Sequence, residues 1–182
     1  MRPRDLAAYN IPQIYLYALY QQGKIVRLSR GVYASSYNVL TQHHSFVEVC
    51  KRVPHGVICL LSALQFHELT TQLPFEVWLA IDRRAHKPNL EGTPLRITRF
   101  SGKALETGIE RHHIEGVEIA VYSPAKTVAD CFKYRNKIGV DVAIEALKDT
   151  LKHKKASIQE IWECAEICRV SKVISPYLEA LQ

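Results

Sequence analysis

The stretch GKIVRLSRGVY, residues 23–33, predicts a short β-hairpin near the start of the chain. Two runs of residues that favour strands, KIVRL and VY, flank a turn-like Ser-Arg-Gly segment. Gly31 permits the backbone reversal between the runs because it has no side chain to restrict its dihedral angles. The hairpin would bring Lys24, Arg27 and Arg30 together on one small basic surface.

A helix is predicted directly before the hairpin, over about residues 12–22, with Gly23 as its left-handed cap. The preceding segment RPRDLAAY, residues 2–9, predicts a shorter helix with Pro3 in its first turn. Pro12 separates the two helices, since the residue before a proline disfavours helical conformation. The order helix, turn, helix, hairpin is typical of a winged helix-turn-helix, whose second helix enters the DNA major groove and whose hairpin wing contacts phosphates.

The predicted second helix has one face for the core and one for DNA. At about 100° per residue, the inward face is expected to hold Pro12, Tyr15, Leu16, Leu19 and Tyr20, and the outward face Gln13, Ile14, Tyr17, Ala18 and Gln21. Glutamine amides can hydrogen-bond adenine, and isoleucine can contact a thymine methyl group. The outward face has no cation. We therefore expect the affinity for phosphates to come mainly from Arg2, Arg4, Lys24, Arg27 and Arg30.

The formal net charge of +6 is concentrated in the same region. Residues 1–36 hold five Arg and Lys residues against one Asp, a net +4, and the other 146 residues hold 19 cations against 17 carboxylates, a net +2. Such a basic segment favours an acidic polymer as its partner. We therefore expect this segment to bind double-stranded DNA.

The composition excludes several other classes of protein. With 182 residues, 47% of them hydrophobic, the chain has room for one ordinary domain or two small ones. No apolar run reaches the roughly 18 residues of a membrane span. The first ten residues lack the apolar stretch of a signal peptide, so a cytoplasmic location without membrane contact is expected. The five cysteines, at unrelated spacings, predict reduced and mostly buried thiols rather than a zinc site.

Residues 41–182 are predicted to form a second, larger α+β domain after a winged helix-turn-helix domain over residues 1–40. Two helices, at 44–52 and 59–69, are followed by strands at 76–81, 95–100 and 116–122, and then by helices at 123–137, 141–154, 157–169 and 174–182. Strands followed by a helical run, without regular alternation, indicate a mixed α/β domain rather than a doubly wound sheet. The expected N-caps of the later helices are Ser123, Asp141 and Ser157, the last in a capping box with Glu160.

The second domain lacks the residue arrangements that predict catalysis. Ser62 and His67 share one predicted helix, without the strand-to-helix turn of a nucleophile elbow. On a strand, the histidine pairs at 43–44 and 112–113 would each direct at most one ring toward a common ion. A nuclease would need clustered strand carboxylates for its metal, and Asp82 stands alone.

One pair of side chains leaves two interpretations open. Lys126 and Asp130 are four residues apart on a predicted helix, so they can form a helix salt bridge at least as readily as an acid–base pair. We predict no catalytic residue, no metal site and no cofactor.

Two short segments of the second domain predict a second basic surface. The segments 82–88 and 132–137 each hold three cations, and the other charges of this domain nearly cancel. The six residues are Arg83, Arg84, Lys87, Lys133, Arg135 and Lys137. If the segments are neighbours in space, the surface could extend a DNA contact, meet an acidic protein surface or bind an RNA; solvated charge is the alternative for either segment taken alone.

The N-terminal residues resemble the signature of the AbiEi family, the antitoxins and transcriptional regulators of abortive-infection toxin–antitoxin systems. The matching residues are Arg2-Pro3-Arg4-Asp5-Leu6, Ile11-Pro12, Tyr15-Leu16, Leu19, Gly23-Lys24-Ile25, Arg27 and Arg30-Gly31-Val32-Tyr33. Three further blocks, at 57–81, 97–102 and 119–147, are similar to the larger domain of the same family. Family members usually begin with one more helix, so the resemblance predicts either an upstream helix or a module of two helices and a wing.

The resemblance implies a DNA-binding regulator that represses its own operon at an operator with inverted repeats. It also implies a nucleotidyltransferase-like toxin as the partner that the larger domain helps to counteract, and so a role in phage defence. A stand-alone transcriptional regulator without a toxin, and a nuclease-like enzyme on the same basic scaffold, are the alternatives. The neighbouring gene would separate the first two, and a metal-dependent cleavage assay would test the third.

Overall fold

The computed structural model describes residues 12, 14–22, 25–29, 32–35, 43–88, 90 and 92–181. The chain divides into two compact units, Met1–Gln42 and His43–Gln182. None of the helices in the described part of the chain is long and apolar enough to cross a membrane.

The first unit contains a helix followed by a two-stranded hairpin. Helix α1 spans Ile14–Gln21, and strands β1 and β2 span Ile25–Ser29 and Val32–Ser35. The strands pair antiparallel, with an irregular register between Arg27 and Ser29. The structure therefore confirms the predicted helix and hairpin. The predicted first helix at 2–9 lies outside the described residues.

The second unit is built around a mixed five-stranded sheet. Its strands are β3 (Val57–Ile58), β4 (Val77–Asp82), β5 (Leu95–Phe100), β6 (Ile109–Ile114) and β7 (Val117–Tyr122), in the spatial order β5-β4-β3-β7-β6. The pairs β4–β5 and β3–β7 are parallel, and the pairs β3–β4 and β6–β7 are antiparallel. Strand β5 is thus an edge strand of this sheet.

Helices of the second unit lie before, between and after these strands. They are α2 (His44–Arg52), α3 (Leu60–Phe66), α4 (Lys103–Glu106), α5 (Pro124–Lys133), α6 (Arg135–Ile138), α7 (Val140–Lys152), α8 (Ile158–Cys168) and α9 (Ser171–Glu179). The predicted mixed α and β content, with a helical run after the last strand, is confirmed. Helix α2 has the predicted bounds, whereas the predicted helix over 123–137 is divided into α5 and α6 at Tyr134.

The sheet separates two hydrophobic clusters, because side chains alternate between its faces along each strand. On one face, α2 residues such as Phe46 and Val49 pack with Leu79 of β4 and Val121 of β7. On the other face, Trp78 belongs to the cluster formed with α3, α5, α7, α8 and α9. Ala63 and Phe66 of α3 also pack in the first cluster, so the core of the second unit is a sheet with α2 and part of α3 on one side and a helical layer on the other.

The helix caps differ from the predictions at one position. Ser123 caps α5 by accepting a hydrogen bond from the Lys126 N–H, and Ser157 and Glu160 form the predicted capping box on α8. The predicted cap Asp141 is wrong, because the N-cap of α7 is Gly139, with φ of 94°, a conformation that favours glycine. Asp141 lies instead in the first helical turn, where a carboxylate interacts favourably with the helix dipole.

Candidate nucleic-acid interface

Helix α1 exposes the residues that the sequence assigns to a DNA-facing surface. The Ile14 and Tyr17 side chains are 74% and 66% exposed, and Gln21 is exposed as well. The Gln21 Nε2 group donates a hydrogen bond to the Tyr17 hydroxyl at 3.0 Å, as expected for side chains one helical turn apart. Ile14, Tyr17 and Gln21 therefore form one continuous exposed face. It presents the apolar Ile14 side chain beside the Tyr17 hydroxyl and the Gln21 amide.

The opposite face of α1 is only partly buried. Leu16 is buried, but Tyr15 and Tyr20, which were predicted to point inward, are 57% and 46% exposed. The prediction for these two tyrosines is wrong, because it assumed a broader apolar stripe than this helix buries. Leu16 is the one α1 residue that is fully packed.

The predicted phosphate-binding cations of the first unit are mostly outside the described residues. This applies to Arg2, Arg4, Lys24 and Arg30, and also to Gln13 of the predicted groove-facing set. The backbone of Arg27 lies in β1, opposite Tyr33 of β2. A phosphate-binding role for these cations stays a prediction.

The two basic segments of the second unit meet at one cavity. Lys87 and Lys137, one from each segment, line a cavity of about 540 Å³. Tyr134 lines the same cavity, and the Lys137 ammonium lies 5.6 Å from the centre of its ring. Two further cations at this cavity, Arg96 and Arg99 of β5, were not predicted, since a strand pattern alone gives no reason to single them out.

Arg99 shapes the loop that presents Arg83 and Arg84. Its guanidinium donates to the backbone carbonyls of Asp82, Arg83 and Ala85 at 3.1, 2.9 and 2.8 Å. The Asp82 carboxylate, which was considered as a possible nuclease ligand, accepts instead from the backbone N–H of Arg84 at 2.7 Å. These bonds fold the loop into a defined turn, with the Arg83 and Arg84 residues exposed.

The remaining predicted cations of this surface lie elsewhere on the second unit. Lys133 lines a second cavity, of about 490 Å³, together with Lys103 and Arg169. Arg135 donates to the Phe132 carbonyl at 2.8 Å. Of the six predicted cations, the structure therefore brings Lys87 and Lys137 together at one cavity and places the others at separate positions.

The interior of the second unit holds an ion pair. The Lys126 ammonium lies 2.5 Å from the Asp130 Oδ2 atom, and both side chains are fully buried. The ammonium also lies 4.2 Å from the centre of the Tyr122 ring and 4.8 Å from that of Phe100. Cys168 donates its thiol hydrogen to the second Asp130 oxygen at 3.2 Å.

The surroundings of this pair favour the salt-bridge interpretation over the acid–base one. Burial raises the pKa of the Asp130 carboxyl, and the attraction and hydrogen bond of Lys126 oppose that rise. With neither side chain accessible to solvent, the pair cannot reach a substrate. Lys126 and Asp130 therefore connect α5 to the aromatic rings of the sheet and to Cys168 of α8.

The residues considered for nucleophilic catalysis have structural hydrogen bonds. The buried Ser62 hydroxyl accepts from the Trp78 N–H at 2.9 Å, and the His67 Nε2 atom bonds the Tyr122 carbonyl at 2.7 Å. Burial lowers the pKa of His67, so the neutral ring is favoured as a donor to that carbonyl. Within the described ranges, no group of three His, Cys, Asp or Glu side chains is placed to hold a metal ion.

The cysteines are free thiols, and all five are buried. Burial raises the pKa of Cys50 to about 11 and that of Cys168 to about 12, so both are protonated at neutral pH. This agrees with the prediction of reduced, buried thiols.

Residues 2–36 match a family model described as a transcriptional regulator, AbiEi antitoxin. The match confirms the predicted resemblance for the N-terminal segment, which includes helix α1 and the β1–β2 hairpin. The blocks at 57–81, 97–102 and 119–147 lie outside the matched segment. No curated protein matches the chain significantly.

Proposed function

We propose that the chain is a DNA-binding transcriptional regulator of the AbiEi antitoxin type. In this proposal it represses its own toxin–antitoxin operon and counteracts a nucleotidyltransferase-like toxin in the cytoplasm, as part of phage defence. The observation that supports it most directly is the family match over residues 2–36, on a segment whose described part is an exposed helix followed by a hairpin. Regulation rather than catalysis is what that family implies.

The first unit, taken as a winged helix-turn-helix over residues 1–40, would bind the operator. Helix α1 would enter the major groove with Ile14, Tyr17 and Gln21 toward the base edges, since these residues form a continuous exposed face of the helix. The cations Arg27 and Arg30, together with Arg2, Arg4 and Lys24, would neutralise phosphates. An operator with inverted repeats would then present two copies of the same half-site.

The second unit, over residues 41–182, would provide the antitoxin function. Its support is the basic surface, in which Lys87 and Lys137 face one cavity beside the exposed loop of Arg83 and Arg84. Such a surface attracts either phosphates or a protein partner with acidic groups. A stand-alone regulator, in which this surface serves DNA alone, is the second candidate.

The α1 face can be tested by measuring sequence preference. We expect the purified chain to bind a duplex from upstream of its own gene more tightly than a scrambled duplex, by fluorescence anisotropy. Gln21→Ala should reduce that preference, because a lost bidentate contact to adenine is worth about 1–3 kcal/mol of discrimination. Tyr15→Ala is the matched control, since Tyr15 is also exposed, on another side of the same helix.

Two results would separate the alternatives. Equal affinity for the two duplexes, with no effect of Gln21→Ala, would contradict base reading by α1. Cleavage of DNA that depends on an added divalent metal would favour the nuclease-like alternative over the regulator.

A further inference from the structure

Among the described residues, no strand pairs with the side of β5 that faces away from β4. The carbonyls of Pro94 and Phe100 accept hydrogen bonds from the β4 side, from the N–H groups of Val77 and Arg83, each at 2.8 Å. Backbone groups alternate in direction along a strand, so the residues of even number up to Phe100 face β4. The N–H and C=O groups of Leu95, Ile97 and Arg99 therefore point away from the sheet.

This open edge coincides with the cavity between the two basic segments. Five consecutive β5 residues, 95–99, line the cavity together with Lys87, Tyr134 and Lys137. Among the described residues, the Tyr134 hydroxyl is the group that reaches this edge, at 3.5 Å from the Arg99 carbonyl. Five residues of strand extend over roughly 13 Å, which is room for a short segment of a further strand.

The described charged residues that line this cavity all have the same sign. The eight described residues that line the cavity include four cations, Lys87, Arg96, Arg99 and Lys137, and no carboxylate. The Arg96 guanidinium forms a salt bridge with the Glu76 carboxylate, with 3.0 Å between Nη1 and Oε1. The Arg99 guanidinium donates its hydrogen bonds to backbone carbonyls. The exposed Lys87 and Lys137 have no such partner among the contacts of the described residues, which leaves both ammonium groups available to a ligand.

We propose that this edge binds an acidic protein segment in extended conformation, which adds to the sheet as a sixth strand beside β5. A peptide backbone offers N–H and C=O groups in alternation, and so matches the alternating groups of Leu95, Ile97 and Arg99. A nucleic-acid backbone does not offer this alternation: DNA offers acceptors alone and would leave the outward carbonyls of β5 unpaired, and RNA adds only the 2′-hydroxyl of each nucleotide as a donor. The observations therefore favour a protein segment over DNA or RNA at this place.

The two faces of the sheet differ in chemistry beside β5, and this difference determines which types of side chain the bound segment should have. Arg96 lies over the Trp78 ring on the face covered by the helical layer, where Lys137 also lines the cavity. Leu95 and Ile97 pack against the cluster on the opposite face. Because side chains of an added strand would alternate in the same way, we expect acidic residues to alternate with apolar ones.

Lysines beside an edge strand can also act to prevent unwanted pairing between copies of a protein. That role requires no ligand and predicts no preference for peptide sequence or charge. The two roles therefore differ in a binding experiment.

The test uses the full chain and a fluorescein-labelled seven-residue peptide of alternating glutamate and valine. The proposal rests on the proposed function, because it specifies which kind of partner the second unit binds. The assay contains no DNA, so its result does not depend on whether the chain binds an operator. A matched peptide with two adjacent central prolines and one additional terminal glutamate keeps the charge and removes backbone donors. An oligothymidylate of equal charge tests the nucleic-acid alternative.

We expect the alternating peptide to bind, and the proline peptide and the oligothymidylate to bind at least about ten-fold more weakly. In amide hydrogen exchange followed by NMR, the peptide should slow exchange at Leu95, Ile97 and Arg99. The amides of Arg96 and Thr98, already directed toward β4, should change little. Lys87→Glu with Lys137→Glu should weaken peptide binding about ten-fold or more, whereas Lys152→Glu with Lys172→Glu, at exposed positions on α7 and α9, should not.

Three results would overturn the proposal. The first is no binding of the alternating peptide at millimolar concentration. The second is equal binding of the oligothymidylate, which would identify a general polyanion surface. The third is binding without slower exchange at Leu95, Ile97 and Arg99, which would show that the segment does not pair with β5.

Discussion

Lys126 and Asp130 have the spacing of an ordinary surface ion pair in the sequence, but the structure buries both side chains. A lysine and a carboxylate four residues apart are usually a surface pair of small energetic effect. Here both side chains are fully buried, and the ammonium lies against the Tyr122 and Phe100 rings. A buried charge that loses its partner is strongly destabilising, because no water replaces the lost interaction.

We therefore expect Lys126→Met and Asp130→Leu, as single changes, each to reduce the free energy of unfolding by about 3–5 kcal/mol. The double change should cost less than the sum of the two, because it leaves no unpaired buried charge. Urea unfolding followed by the fluorescence of Trp78 and Trp162 measures this in the second unit. Lys133→Met, at an exposed position on the same helix, is the control and should stay within about 0.5 kcal/mol of the parent. Single changes that cost no more than that control would contradict the account.

The burial of this pair could not be predicted from the sequence. The spacing of Lys126 and Asp130 fixes their contact along one helix, but the exposure of that helix face depends on α3, α8 and the sheet, which pack around α5. Arg99 was missed for a related reason. Its three carbonyl partners lie at the end of β4 and in the loop after it, and only the parallel pairing of β4 with β5 brings them close.

Among the helices and strands, the bounds were predicted correctly where the local sequence contained a clear periodic pattern and a clear end. Helix α2 is amphipathic and is followed by Pro54, so its bounds at His44 and Arg52 could be predicted. Strand β3 has two residues, too few for a periodic pattern, and it owes its place to pairing with β4 and β7. Helix α9 begins three residues before its predicted start and contains Pro176, whose helix-breaking tendency the packing of Ile174 and Leu178 overrides.

The packing of helices and strands explains why the second basic surface was only partly predicted. The cations of segments 82–88 and 132–137 are visible in the sequence, but their proximity depends on how α6 lies relative to β5. Lys87 and Lys137 share a cavity, whereas Lys133 lines another one with Lys103.

The function of these basic segments can be tested by reversing their charge. We expect a variant with Arg83, Arg84, Lys133 and Arg135 changed to Glu to fold normally, since Arg83, Arg84 and Lys133 are exposed and Arg135 is half-buried. It should lose operator affinity, without a change in sequence preference, or lose protection of cells from the toxin. Promoter repression and cell rescue, with circular dichroism as the check of folding, measure the two activities. A folded variant that equals the parent in both would show that these charges serve solubility alone.

In the whole molecule, the segment with most of the net positive charge nearly coincides with the first compact unit. The net charge of residues 1–36 is +4 out of +6, and the first compact unit is Met1–Gln42. The second unit contains the large sheet and its two hydrophobic clusters. We therefore expect the affinity for DNA to depend on the few cations of the first unit, and the stability of the protein to depend mainly on the second.

The salt dependence of DNA binding tests the central claim most directly. If Arg2, Arg4, Lys24, Arg27 and Arg30 each neutralise one phosphate, the logarithm of the binding constant should fall against the logarithm of salt concentration with a slope of about −4 to −5 per protomer. The double change Arg27→Ala and Arg30→Ala should reduce that slope by roughly two units, because each lost phosphate contact removes about 0.9. Fluorescence anisotropy with a duplex from upstream of the gene, between 50 and 200 mM salt, measures both slopes. A slope that the double change leaves unaltered would mean that the β1–β2 hairpin does not contact DNA.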